Sequence, residues 1–236
     1  MKKIYCIVLL LLIILCILYK NSKNINEYYV NNNKFSKEKL SQSSCAVVFN
    51  SGTLLKKNYG NDIDSYDYVI RFNMHPIKGY EKHVGTRTDI QVVHFSGKDS
   101  PGIKFAKLND NNILGLTFFV SDYDEKDYYK YKKYNHNWFG IPRNICDECQ
   151  NLANLPSDKK CSSGMLGVLW AMKHFKNISI FGGISDPCYP FHYQEKKPIN
   201  CDFTLKKINK ITSHDFRNEH KLYQKWNSED KIKLIE

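Results

Sequence analysis

Several features that would classify this chain at once are missing from it. It has no internal repeat, no arginine-rich block and no basic helix, so its formal charge of +11 over 236 residues is carried by scattered lysines and gives no sign of a nucleic-acid partner. That charge is read either as solvated surface or as attraction to acidic membranes and anionic substrates. No second Cys-x-x-Cys and no His-x-x-x-His accompanies Cys146-Asp147-Glu148-Cys149, so a zinc site or a redox pair there lacks its other half. No small-x-small cleavage site follows the apolar run Ile4 to Tyr19, which favours a retained signal anchor over a removed signal peptide. The length excludes two ordinary domains with a linker and allows one domain with a substantial core.

What is present is ordered along the chain. After a tail at residues 1–3, the run at 4–19 would span about 24 Å as a helix at ~1.5 Å per residue, short for a bilayer core of ~30 Å and suited to the thinner membranes of the early secretory pathway. Lysines flank both ends, so they do not set its orientation. The cysteines outside it, Cys45, Cys146, Cys149, Cys161, Cys188 and Cys201, are even in number and suit disulfides in an oxidising lumen. Residues 20–43 are rich in Asn, Lys and Ser and read as a flexible stem, and a single globular domain is expected over 44–236.

Within that domain Ala46 to Phe49 reads as a buried strand, broken by Asn50-Ser51-Gly52, with a helix expected from Thr53 to Tyr59. Further strands fit Asp67 to Asn73, Asp89 to Phe95, Leu114 to Val120 and Ile178 to Phe181, and helices fit Met165 to Phe175 and Asp215 to Trp226. Such alternation predicts an α/β fold, a single Rossmann-like domain whose mostly parallel sheet carries helices on both faces. The charged, tyrosine-rich stretch from Asp122 to Lys133 and the weakly periodic one from Asn135 to Leu155 are expected to be surface or loops.

Two turns sit where a strand or loop gives way to a helix. Asn50-Ser51-Gly52 lies at a strand's C-terminal end, where open α/β sheets bind ligands, and a helix N-terminus there offers N–H groups to phosphate. Ser162-Ser163-Gly164 repeats the device; the plain alternative is an N-cap. Near the C-terminus, Ser213-His214-Asp215-Phe216-Arg217-Asn218-Glu219-His220 reads as a metal site, a proton-transfer site or a polar helix start.

These turns lie inside longer stretches. Residues 45–95, "CAVVFNSGTLLKKNYGNDIDSYDYVIRFNMHPIKGYEKHVGTRTDIQVVHF", resemble the large sialyl motif of the animal-type sialyltransferases, glycosyltransferase family 29. "CSSGMLGVLWAMKHFKNISIFGG" resembles the small motif, "FHYQE" the third, and "HDFRNE" the His-x4-Glu motif, in the family's order and across most of 45–226. Short flanking words look most like the α-N-acetylgalactosaminide α2,6 enzymes.

The resemblance implies a GT-A-like variant of the Rossmann fold in a single-pass type II Golgi membrane protein with its catalytic domain lumenal. It implies inverting transfer of sialic acid from CMP-sialic acid to a hydroxyl of a glycoprotein or glycolipid glycan, at Gal or GalNAc. Asn50, Ser51 and Asn73 would meet the donor, and Ser162, Ser163 and Gly164 would hold the nucleotide and the donor's carboxylate. His192 would support the departing phosphate and His214 would be the general base. Glu219, five residues after His214 and roughly 140° around a helix from it, would brace the helix entry without orienting His214. No metal or other cofactor is expected, because CMP leaves with a single phosphate; Asp62-Ile63-Asp64 and Asp122-Tyr123-Asp124 match Asp-x-Asp in spelling only. Alternatives are a silent CMP- or glycan-binding relative and a transferase of another CMP-activated acidic sugar such as Kdo.

The sequence departs from the family at Phe49, commonly Gly, at Cys161, usually Pro, and at Phe175, where a cysteine normally pairs with the counterpart of Cys45. Cys45 is then expected either to find another partner, Cys161 first, or to stay free. Cys188 and Cys201, which flank the third motif, are expected to form a bridge.

Overall fold

The computed structural model describes residues 33–95, 99–108, 110, 112–135, 137–196, 201 and 213–236. The expected anchor at 4–19 and most of the stem lie outside them; among the described residues no helix is long and apolar enough to cross a membrane. The chain divides into two units, Met1–Lys39 and Leu40–Glu236, and the second carries the sheet. Helix α1, Lys37–Gln42, lies within the segment read as stem, and its Leu40 is buried.

Among the described residues seven strands form one sheet: β1 Ser44–Val48, β2 Tyr68–Phe72, β3 Ile90–Val92, β4 Leu114–Phe118, β5 Trp138–Ile141, β6 Asn177–Phe181 and β7 Lys233–Ile235. Their order is β5-β4-β3-β2-β1-β6-β7, and every neighbouring pair is parallel. Consecutive residues of β2, β3 and β4 are all buried. Since alternate side chains point to opposite faces, both faces of the sheet are covered. The strands run outward from β1 to β5, and the chain then returns to place β6 on the other side of β1. The order therefore reverses between β1 and β6, and the crevice at the carboxyl edge beside that point is where such sheets take ligands.

The helices are α2 Gly60–Asp64, α3 Glu81–Val84, α4 Pro101–Ala106, α5 Asp122–Tyr131, α6 Asn144–Leu152, α7 Ser163–His174 and α8 Phe216–Ser228. The helix expected from Thr53 to Tyr59 is instead a 3-10 turn, Gly52–Lys56, and α2 starts at Gly60, just past the expected helix. Close approach explains the first: a Cβ on Gly52 would lie 2.2 Å from the Pro190 carbonyl oxygen, which accepts the Gly52 N–H, so the following loop holds the turn tight. The stretches read as loops after Asp122 contain α5, β5 and α6. A capping box starts α5, Ser121 accepting from the Asp124 N–H and Asp124 from the Ser121 N–H. Trp138 of β5 anchors an aromatic cluster with Phe95, Phe105 and Tyr128, and its indole N–H donates to Thr117.

The disulfides are Cys149–Cys161 and Cys188–Cys201. The second is as expected, while a Cys45–Cys161 pair is excluded because the two residues belong to opposite edges of the sheet. Cys45 is the second residue of β1, fully buried between Tyr68 and Ile178, whereas Cys161 precedes α7 at the carboxyl edge. Phe175, which ends α7 near Cys45, packs its ring 5.4 Å from Tyr68 and closes that corner by apolar contact. Cys45 and Cys146 carry free thiols, both pushed up by burial, Cys146 to about 12.

Gly115 in β4 has no room for a side chain: a Cβ would sit 2.1 Å from Phe105 Cε1 and 2.8 Å from Trp138 Cδ1. Gly115→Ala should lose about 1–3 kcal/mol in urea unfolding through overpacking. Adding Phe105→Leu should recover part of that loss, so an unaltered midpoint in the single variant would contradict the packing described.

Candidate active site

Strand ends build the site. Asn50 and Ser51 follow β1, Asn73 follows β2, His94 follows β3, Val120 follows β4 and Gly182 follows β6, and all line one cavity of about 510 Å³. The N-terminus of α7 and the entry to α8 close it, bringing in Ser162, Ser163, Gly164, His214 and Glu219, and the loop after β6 adds His192. The cavity thus gathers every donor-binding, catalytic and supporting residue expected from the sequence, together with Cys161.

Each does something specific. Asn50 donates from Nδ2 to the Phe72 carbonyl at 3.2 Å, tying the ends of β1 and β2, and its own carbonyl accepts the Tyr193 N–H. Ser51 caps the 3-10 turn, accepting from Thr53 N and Oγ1. Asn73 has a left-handed backbone, φ 56°, which Asn tolerates better than most residues, and its Oδ1 lies 2.7 Å from His94 Nδ1. Gly164 lets Phe49 approach; a Cβ there would stand 2.4 Å from Phe49 Cε1. That contact accommodates the phenylalanine that departs from the family pattern, and its ring also packs on Phe72 and Tyr223.

Ser162 is the N-cap of α7, with its hydroxyl accepting from Met165 N at 3.1 Å. The same hydroxyl donates to Glu219 Oε2 at 2.6 Å, and the Ser162 N–H donates to Oε1 at 2.7 Å. Glu219, only 1% exposed, is therefore a bidentate clamp between α8 and the start of α7. Burial pushes its carboxyl up to about 7 against the lowering effect of both Ser162 bonds. Ser163 and Gly164, whose amides begin α7, are the groups of this turn left to meet an anion.

His214 Nδ1 lies 2.8 Å from the Lys160 carbonyl oxygen, which fixes the tautomer: Nδ1–H donates and the lone pair sits on Nε2. Burial lowers its pKa below the usual imidazole value, so the ring is neutral at pH 7. His192 Nδ1 lies 2.8 Å from Glu195 Oε1. Phe191 and Phe216, with ring centroids 6.0 Å apart, link the two histidine segments.

Both Asp-x-Asp spellings carry structural bonds. Asp64 accepts from the Thr86 N–H and hydroxyl and from the Arg87 N–H, Asp124 caps α5, and Asp122 pairs with Arg143. Among the described residues no group of three metal-ligating side chains comes together. His94 and Lys160, which also line the cavity, were given no role from the sequence, and His220 entered only as part of the polar stretch 213–220. A carbonyl such as that of Lys160 leaves no trace in a sequence, whereas His94 follows a strand end, a position that could have pointed to it.

A sequence model described as glycosyltransferase family 29 (sialyltransferase) matches residues 17–231. The β-galactoside α-2,6-sialyltransferase 2 of Homo sapiens is 34% identical over 97 residues, 41% of this chain and 18% of the human protein. That of Danio rerio is 27% identical over 181 residues, 65% of this chain and 34% of its own length, so the chain spans a minor part of these relatives. A crystal structure of a mammalian sialyltransferase superposes with a TM-score of 0.64 at 19% identity, covering 92% of this chain and 78% of that one. A mammalian sialyltransferase in complex with Gal-beta-1-3GalNAc-ortho-nitrophenol superposes with a TM-score of 0.65 at 20% identity, covering 90% and 78%.

Titration of the site has opposing signs. Burial depresses His75 and His220 to about 4, so each contributes stability that grows as pH rises from about 4 to the unfolded value near 6.5. Glu219, raised to about 7, contributes the reverse, losing stability as pH climbs from its unfolded value near 4.5. Glu219→Gln should therefore steepen the rise of Tm between pH 4.5 and 6.5. Glu219→Ala, which strands the Ser162 donors, should lose about 3 kcal/mol. Thermal melts across that pH range check both.

Proposed function

The chain belongs to glycosyltransferase family 29, the sialyltransferases, and from that membership we propose that it transfers sialic acid from CMP-sialic acid to a hydroxyl of Gal or GalNAc on a glycoprotein or glycolipid glycan, with inversion. The observation that carries the reading is His214, held by the Lys160 carbonyl in the tautomer a base requires and opening on the same cavity as His192 and the start of α7. The acceptor hydroxyl attacks the anomeric carbon as His214 Nε2 takes its proton, while the bond to the CMP phosphate breaks on the opposite face. His192, with Glu195 behind it, supports the leaving phosphate, and the Ser163 and Gly164 N–H groups meet negative charge at the helix terminus. One departing phosphate calls for no divalent ion in this scheme. Two disulfides and the resemblance of the whole domain favour a membrane-anchored enzyme working in the Golgi lumen.

The test is transfer by the purified protein from CMP-sialic acid to a panel of galactoside and GalNAc-bearing glycoprotein and glycolipid acceptors, with and without EDTA. Transfer that survives EDTA is expected. CMP binding without transfer to any acceptor would overturn the enzymatic reading, and loss of transfer in EDTA would overturn the metal-free scheme. His214→Ala should reduce kcat by about 100-fold or more and leave CMP affinity nearly unchanged, as isothermal titration would report.

A further inference from the structure

His75 lies outside the cavity lining, in the turn after β2 where both Asn73 and Met74 adopt φ 56°. Two left-handed residues in succession, one of them Met, are held only where the surroundings over-determine them, and they deliver the His75 ring to the back of His192. The two imidazole centroids are 4.6 Å apart with planes inclined at 40°. On the far side, Gln194 Nε2 stands 2.7 Å from His75 Nδ1. An amide nitrogen only donates, so Nδ1 of His75 accepts and its proton resides on Nε2, the neutral form. His192, by contrast, has a carboxylate on its Nδ1.

We propose that His75 is a positioning residue for His192: a neutral aromatic wall, locked in one tautomer by Gln194, that presses the His192 ring onto Glu195 and keeps Nε2 of His192 directed at the anionic leaving group. Facing His192 are Glu195 from its own loop, Phe191 at 4.5 Å and His75 from the β2 turn. Facing His75 are His192, Gln194 and, at 6.3 Å, Tyr193, with Glu195 and His94 acting over longer range. Burial and, secondarily, the neighbouring His192 oppose a proton on His75.

The inference rests on His192 acting as the phosphate-side group, and the experiment separates the two. In the full-length protein, 15N-histidine spectra should show His75 as the neutral Nε2–H tautomer at every pH above about 5, and CMP should shift the His192 resonances; neither readout needs turnover. His75→Ala should lower kcat about tenfold and leave the KM for CMP-sialic acid within about twofold, as the His192 ring loses its wall. His75→Phe, which keeps the wall and removes the nitrogens, should restore kcat. The proposal is overturned by a His75 that titrates near pH 6.5, by a kcat unchanged in His75→Ala, or by His75→Phe behaving like His75→Ala. His192 resonances indifferent to CMP would instead sink the phosphate-side role while the tautomer result stands.

Discussion

A single buried carboxylate holds this site together. Glu219 takes both donors of Ser162, the backbone N–H and the hydroxyl, and so fixes the register between the last long helix and the start of α7. Two residues before Ser162 is the carbonyl that fixes the His214 tautomer, and one residue after it the amides of α7 begin to point at the cavity. The clamp therefore sets His214 and the first amides of α7 relative to each other. A surface ion pair would be too weak and too mobile for that task. Burial makes the bonds directional, at the expense of a carboxyl that titrates near neutrality.

The sheet supplies the other half of the geometry. Parallel strands all present their carboxyl ends on one edge, so each βα loop delivers side chains to the same crevice, from Asn50 and Asn73 to His94 and Gly182. Apolar fit keeps the crevice open yet small. Phe49 lies against Gly164 where no side chain would be tolerated, and Phe72 meets Gly167 of α7 in the same way. These contacts bring α7 close enough to the strands for its first amides to reach the strand-end residues.

Much of this was legible in the sequence. The strands with unbroken buried runs, β1 to β4 and β6, and the apolar helix α7 announce themselves, because burial on both faces writes continuous hydrophobicity. What escaped is at the margins. Helix α5 is hydrophilic and rests on a capping box, β5 and β7 are edge strands only half-buried, and α6 has few apolar positions. The cysteines show the same limit: the two bridges span 12 and 13 residues, yet only the one flanking the third motif was readable, because Cys149 meets Cys161 through the packing of α6 beside α7. Candidate site residues were found through chemistry and motif, whereas the partners that orient them, a Lys160 carbonyl and a Gln194 amide, depend on the fold bringing distant segments together.

The Cys149–Cys161 bridge closes a short loop, with a sequence separation of 12, directly ahead of Lys160–Ser162's contacts with the C-terminal helix. Cys45, near the amino end of the interior strand β1, stays a thiol. Among the described cysteines oxidation is thus partitioned: the central strand keeps a buried thiol, while a cross-link ties the rim that carries His214. In the chain-entropy view such a loop contributes about 3 kcal/mol, a large share of ordinary domain stability concentrated at the mouth of the cavity.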